Sequence, residues 1–229
     1  MFAGLTTEEA NKPIALHLEK IGALFALKKI EHQYPHCWRC HKPVIFRATS
    51  QWFCSVDDFK DDAVKAAEDV KWFPEWGKDR LQSMVKERAD WCISRQRKWG
   101  VPIPVVYCQD CGKEIIDNDI MMKVSKIFGE EGSDAWFAHD TEYFLPEGFK
   151  CPHCGSAKGF DKEKDIMDVW FDSGSSHAAV CARRKYLKVP ADVYLEGADQ
   201  YRGWFQSSLL TSVAGGHGAP YKQIITHGW

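Results

Sequence analysis

No apolar run in this sequence reaches membrane-spanning length, and Met1-Phe2-Ala3-Gly4 carries no basic-then-apolar leader, so neither a membrane protein nor a secreted one is expected. A charge surplus is also missing: 30 Lys and Arg against 32 Asp and Glu leave a formal charge of -2 and a pI near 6.5. No global field draws the chain to nucleic acid or anionic lipid, and any RNA contact has to come from local basic clusters. Nothing in the composition suggests disorder. With 45% hydrophobic and 27% charged residues, the 229-residue chain has the make-up of a soluble globular protein with one large or two small cores. What it does have is cysteine. Nine cysteines, an odd number, with several in Cys-x-x-Cys pairs, argue for a reducing, cytoplasmic setting and for metal ligation over a disulfide framework.

Cys108-Gln109-Asp110-Cys111-Gly112 and Cys151-Pro152-His153-Cys154-Gly155 are two knuckles of one pattern, each closed by a glycine able to adopt positive φ. Four thiolates close a tetrahedral structural zinc site and leave no open position for catalysis. The stretch between them, Gly112 to Lys150, is longer than the usual ribbon loop and has room for a helix over 119–128 and a turn near 135–137. His139 and His153 read as bystanders, and Cys54, Cys92 and Cys181 as small core residues. Cys37-Trp38-Arg39-Cys40 is a third knuckle with no partner pair in the sequence.

Near the end of the chain, Tyr194-Leu195-Glu196-Gly197-Ala198-Asp199-Gln200 reads as a strand end and tight turn. From Gln200, apolar Tyr201, Trp204, Phe205, Leu209 and Val213 recur at helical spacing, with Asp199 placed to cap the helix. Asp168-Val169-Trp170-Phe171-Asp172-Ser173-Gly174 reads as a second strand end and turn beside the first. His177 is a capping or solvent histidine. Ser94-Arg95-Gln96-Arg97-Lys98-Trp99-Gly100 sets three cations beside an aromatic, a combination that can grip phosphate and stack a base.

These stretches resemble the isoleucyl-tRNA synthetases, a class I aminoacyl-tRNA synthetase family. The Glu196-Gly197-Ala198-Asp199-Gln200 run with Gly203-Trp204-Phe205 points to isoleucine; Asp90 to Gly100 is shared in similar form with the leucine and valine enzymes. Asp168 to Ser175 and Thr226-His227-Gly228 agree. The resemblance implies an α/β fold: the second half of a class I synthetase Rossmann-like catalytic domain, with an inserted zinc-binding subdomain and the tail of the editing insertion. It divides the chain into the editing tail with its zinc knuckle (1–42), a catalytic-domain segment (43–107), a zinc-ribbon-like insertion (108–165) and the catalytic second half (166–229).

By the same resemblance, Glu196 takes the ribose hydroxyls and Gly197 lets the ligand approach. Asp199 and Gln200 hold the rest of an aminoacyl-adenylate, His227 and Gly228 border the adenine, and Trp170 and Trp204 wall a slot for a branched aliphatic side chain. Zinc is expected at Cys108, Cys111, Cys151 and Cys154, and at Cys37 and Cys40 with ligands from elsewhere. ATP with Mg2+, isoleucine and tRNA(Ile) are the implied partners of a monomeric enzyme, and the 94–100 block would touch the acceptor end of tRNA or the closed active site. The family's phosphate-binding motifs are missing, so the chain reads as an internal, by itself inactive piece. Trp229 stands where many bacterial members carry phenylalanine. Two alternatives remain: a valyl-tRNA synthetase, and a non-catalytic zinc-stabilised RNA- or protein-binding module.

The remaining expectations are local. Asn11 is expected to cap a helix with Pro13 in its first turn. Strands are expected at 23–32, 44–48 and 51–55. A helix capped by Asp57 should run to about Val70, an aromatic break follow at 72–77, a helix occupy 78–87, and a strand 223–226.

Overall fold

A computed structural model describes residues 1–228; Trp229, and with it the expectation about the adenine pocket there, lies outside the described residues. Contacts divide the chain into two units, Met1–Ser50 and the remainder from Gln51.

The first unit holds one helix, α1 (Thr7–Lys20). It begins earlier than Asn11, because Thr6 and Glu9 form a capping box. The Thr6 hydroxyl accepts the Glu9 amide at 3.3 Å and the Glu9 carboxylate accepts the Thr6 amide at 2.8 Å. Pro13 therefore sits inside the helix. The expected strands at 23–32 and 44–48 do not form. Among the described residues those segments pair with no strand, an isolated bridge of His36 to Pro43 lies between them, and an unpaired strand has nothing to satisfy its backbone.

The second unit opens with β1 (Phe53–Cys54), α2 (Lys60–Ala66), β2 (Lys71–Phe73), α3 (Gly77–Lys86), β3 (Trp91–Cys92) and β4 (Ser94–Arg95). The cysteine-rich stretch follows as β5 (Val106–Cys108), β6 (Glu114–Ile115), α4 (Asn118–Glu131), α5 (Ala135–Ala138) and β7 (Phe160–Lys162). Last come β8 (Ile166–Met167), α6 (Val169–Gly174), β9 (Tyr194–Gly197), α7 (Trp204–Ala214) and β10 (Gln223–His227).

Three corrections bear on the site. Asp57 forms an ion pair with Lys60 instead of capping α2, which starts after Phe59. The aromatic break contains a strand: β2 pairs in parallel with β10, which pairs in parallel with β9, in the order β2-β10-β9. And β8 pairs antiparallel with β4, so the segment before Trp170 belongs to a different sheet from Glu196.

Two apolar cores result. One gathers Trp72, Leu81, Tyr201, Phe205, Leu209 and Ile224 from β2, α3, α7, β10 and the turn between β9 and α7. A fully buried side chain such as Leu81 or Leu209 contributes about 1.5–3 kcal/mol. The other core joins Val106, Ile115, Ile120, Val124, Trp136 and Phe144 beneath the cysteines. The Asp117 carboxylate accepts the Ile120 amide and starts α4 close to its expected place.

Candidate functional site

The four cysteines converge. Their sulfurs all lie within 4.8 Å of one another, with Cys108 to Cys154 and Cys111 to Cys151 each at 3.7 Å. One backbone turn is used twice. The Gly112 amide donates to the Cys108 carbonyl and the Gly155 amide to the Cys151 carbonyl, both at 2.8 Å, and the two glycines stand at φ +70° and +74°. A tetrahedron with metal–sulfur bonds of about 2.3 Å has edges of about 3.8 Å, so the spacing suits a four-thiolate ion.

Electrostatics say the same. Burial resists ionisation of Cys151, but the amides of His153 and Cys154 and the thiols of Cys154 and Cys108 bring it to about 6. The Ser156 amide favours the Cys154 thiolate, yet burial and the thiols of Cys151, Cys108 and Cys111 push it up to about 12. Four such sulfurs cannot all ionise without a cation among them. His153 reaches the Glu114 carbonyl at 3.1 Å and His139 the Glu131 carboxylate at 2.7 Å, so both histidines are engaged elsewhere.

The Cys37 knuckle repeats the turn, with the His41 amide on the Cys37 carbonyl at 2.7 Å and His41 at φ +57° where the others have glycine. The amides of Cys40 and then Arg39 lower the Cys37 thiol. Only two sulfurs meet there, and among the described residues no third ligand joins them.

At the other candidate site, β9 runs into a 3-10 turn, Ala198–Arg202, before α7. Helix α7 starts at Trp204, later than expected, and Asp199 does not cap it. Gln200 reaches forward instead: its Oε1 accepts the Trp204 amide at 2.8 Å while its Nε2 donates to exposed Asp199 at 3.1 Å. Parallel register sets His227 opposite Gly197 and Thr226 opposite Glu196. The Tyr201 hydroxyl, 2.8 Å from Thr226 Oγ1, ties the turn to β10. Glu196 is exposed on the edge strand and Gly228 follows His227 out of β10.

Trp204 lies flat on Tyr194, ring centres 3.9 Å apart and 9° from parallel, with its indole N–H on the Ser173 carbonyl at 3.0 Å. Trp170 comes from α6, and its ring edge faces Gly203. A Cβ on Gly203 would stand 3.0 Å from Trp170 Cη2 and collide with Gln200 Oε1. Trp170, Gln200, Gly203 and Trp204 are thereby neighbours.

Sequence reading missed the residue that holds this arrangement. Asp168 is buried. It accepts the Trp91 indole N–H at 2.9 Å and the Arg95 guanidinium at 3.2 Å, and caps α6 through the Trp170 amide at 3.4 Å. Arg95 also donates to the carbonyls of Cys92 and Ser94. Of the three cations grouped in 94–100, this one is spent inside the protein. Burial, then Asp168, pushes the Asp172 carboxyl up. His177 is buried and not at the solvent, its Nδ1 2.8 Å from the Gly174 carbonyl; burial lowers its pKa.

Residues 6–229 match the family model for class I tRNA synthetases (I, L, M and V), and the chain belongs to that family. Among curated proteins it is similar to the isoleucine–tRNA ligase of Caldicellulosiruptor bescii, 61% identical over 228 residues, and to that of Carboxydothermus hydrogenoformans, 58% identical over 231. Each match takes in 100% of this chain and 25% of the relative, so the chain spans about a quarter of their length. Among solved structures, a LeuRS from Agrobacterium radiobacter K84, in a ternary complex with tRNA and LeuAMS, superposes with a TM-score of 0.39 at 23% identity. That overlap covers 62% of this chain and 20% of the LeuRS. Among the described residues, no helix is long and apolar enough to cross a membrane.

Proposed function

We propose that this chain is part of an isoleucine–tRNA ligase, which joins isoleucine to the α-phosphate of ATP with Mg2+, releasing pyrophosphate, and passes the aminoacyl group to tRNA(Ile). The observation that carries the reading is identity near 60% along the whole chain to isoleucine–tRNA ligases.

In that reaction the amino-acid carboxylate attacks already ionised, so no general base is needed and the protein's work is positioning and charge stabilisation. Glu196 accepts the two ribose hydroxyls and Gly197 admits the ligand to the backbone. Asp199 and the free face of Gln200 hold the adenylate, and His227 and Gly228 border the adenine. Trp170 and Trp204 form the walls against which a branched aliphatic side chain packs, offering no hydrogen bond to a polar one. Zinc would be held by Cys108, Cys111, Cys151 and Cys154, where it supplies a structural cross-link. Cys37 and Cys40 would contribute half of a second site. On this reading, 166–229 is the second half of a Rossmann-like domain, 108–165 a zinc-binding insertion, 43–107 a catalytic-domain segment and 1–42 the tail of an editing insertion. The enzyme works as a cytoplasmic monomer.

The test is isoleucine-dependent ATP–pyrophosphate exchange by the full-length protein. Trp204→Ala should abolish it while the protein stays folded; near-normal exchange in that variant removes the side-chain slot.

A further inference from the structure

Arg97 and Lys98 follow Arg95 in sequence but not in use. They line a groove of about 990 Å³ formed with Trp136, Phe137, Thr141 and residues 161–165 of the cysteine-rich stretch. We propose that this groove holds a single-stranded segment of RNA, its phosphates on Arg97, Lys98 and Lys164 and a base on Phe137. The inference rests on the ligase reading, which supplies tRNA as the RNA.

The lining carries four cations, Arg97, Lys98, Lys162 and Lys164, against three acids, Asp161, Glu163 and Asp165, a balance of one positive charge. Two of the acids already accept hydrogen bonds within the protein, while the side chains of three of the cations make none among the described residues. Glu163 accepts the Trp52 indole at 2.7 Å, the Tyr107 hydroxyl at 2.5 Å and the amides of Lys164 and Asp165 at 2.6 and 2.9 Å. Asp161 accepts the Gln109 amide group at 2.9 Å. Burial, then Glu163, raises the pKa of the third, Asp165. Lys162 is committed to the carbonyls of Trp136 and His139.

The side chains of Arg97, Lys98 and Lys164, by contrast, have no hydrogen-bond or ion-pair partner among the described residues, and all three are exposed. Their donors are free for a ligand's oxygens. Phe137 lines the same groove at 52% exposure and Trp99, next to Lys98, is 96% exposed. Unspent cations interleaved with bare aromatic faces suit unpaired nucleotides, whose bases stack while their phosphates are neutralised. A duplex would bury its bases and leave the rings idle.

The experiment uses the full-length enzyme with Arg97→Gln, Lys98→Gln and Lys164→Gln combined, and separately Phe137→Ala. Exchange, which needs no tRNA, should stay within about twofold of the parent. The KM for tRNA in charging should rise about tenfold or more, and its salt dependence should flatten by about two counterions for three lost phosphate contacts. Phe137→Ala should raise that KM about fivefold or more with the salt slope unchanged. An unchanged tRNA KM in an active parent overturns the groove, and so does a parallel fall of exchange and charging. Absence of isoleucine-dependent exchange in the parent overturns the ligase reading instead.

Discussion

No residue of Met1–Ser50 is buried, whereas the chain from Gln51 closes two separate cores. Both regions contain the same cysteine knuckle, hydrogen-bonded in the same way. In the second region two knuckles meet on a shared apolar floor; in the first, one stands by itself. The difference separates structure a short segment makes alone, such as a capped helix or a knuckle turn, from structure that needs a partner from elsewhere in the chain.

The largest effect expected is at the four cysteines. Cys151→Ser should abolish stoichiometric metal in the full-length protein and loosen the core holding Trp136, whose ring lies beneath the cluster's strands. Cys37→Ser should remove at most a second, separate equivalent and leave Trp136 unchanged. Metal analysis, with hydrogen exchange of the amides over 135–138 as the second readout, decides it. Full metal retention in Cys151→Ser would break the comparison, since the cluster would then be no more complete than the lone knuckle.

Asp168 comes next. Asp168→Ala strands the Trp91 indole N–H and one face of Arg95 and uncaps α6. With Arg95 partly exposed, about 2–3 kcal/mol should be lost. Asp168→Asn keeps one acceptor and should cost less. Because Asp168 sits two residues before Trp170, the alanine variant should also raise the KM for isoleucine in exchange while KM for ATP holds. A thermal midpoint and both KM values unmoved would show that the link from β4 to α6 is not what orients this indole.

What the sequence made legible follows the same division. The knuckles and the helix at 77–86 could be read because their signals are local: fixed cysteine spacing and apolar residues every third or fourth position. The stretch between the knuckles showed room for α4, but the Asp117 carboxylate that starts it was not singled out. The capping box Thr6-x-x-Glu9 was equally local and was passed over in favour of Asn11 and Pro13. Other features had no local signature. Three residues of β2 are too few to show a period, and their strand character comes from β10, far along the chain. Residues 23–32 have strand-like composition but, among the described residues, no neighbour to pair with. Asp199 and Gln200 are adjacent candidates for one role, and only the tight 3-10 turn selects the longer side chain. The pairing of Asp168 with Arg95 and Trp91 joins two motifs whose separation in sequence says nothing of their contact.

The smallest effect tests the local side of the comparison. Helix α1 buries none of its residues, so its order should depend chiefly on its own cap. Thr6→Ala removes the hydroxyl that accepts the Glu9 amide, a change costing about 1 kcal/mol at a helix N-terminus. Hydrogen-exchange protection of the amides over 7–20 should then fall about fivefold, the factor that energy represents at room temperature. Thr6→Ser, which keeps the acceptor, should restore it. Protection unchanged in the alanine variant would mean that something besides the capping box holds the helix, and the first fifty residues would no longer count as a region built from local interactions.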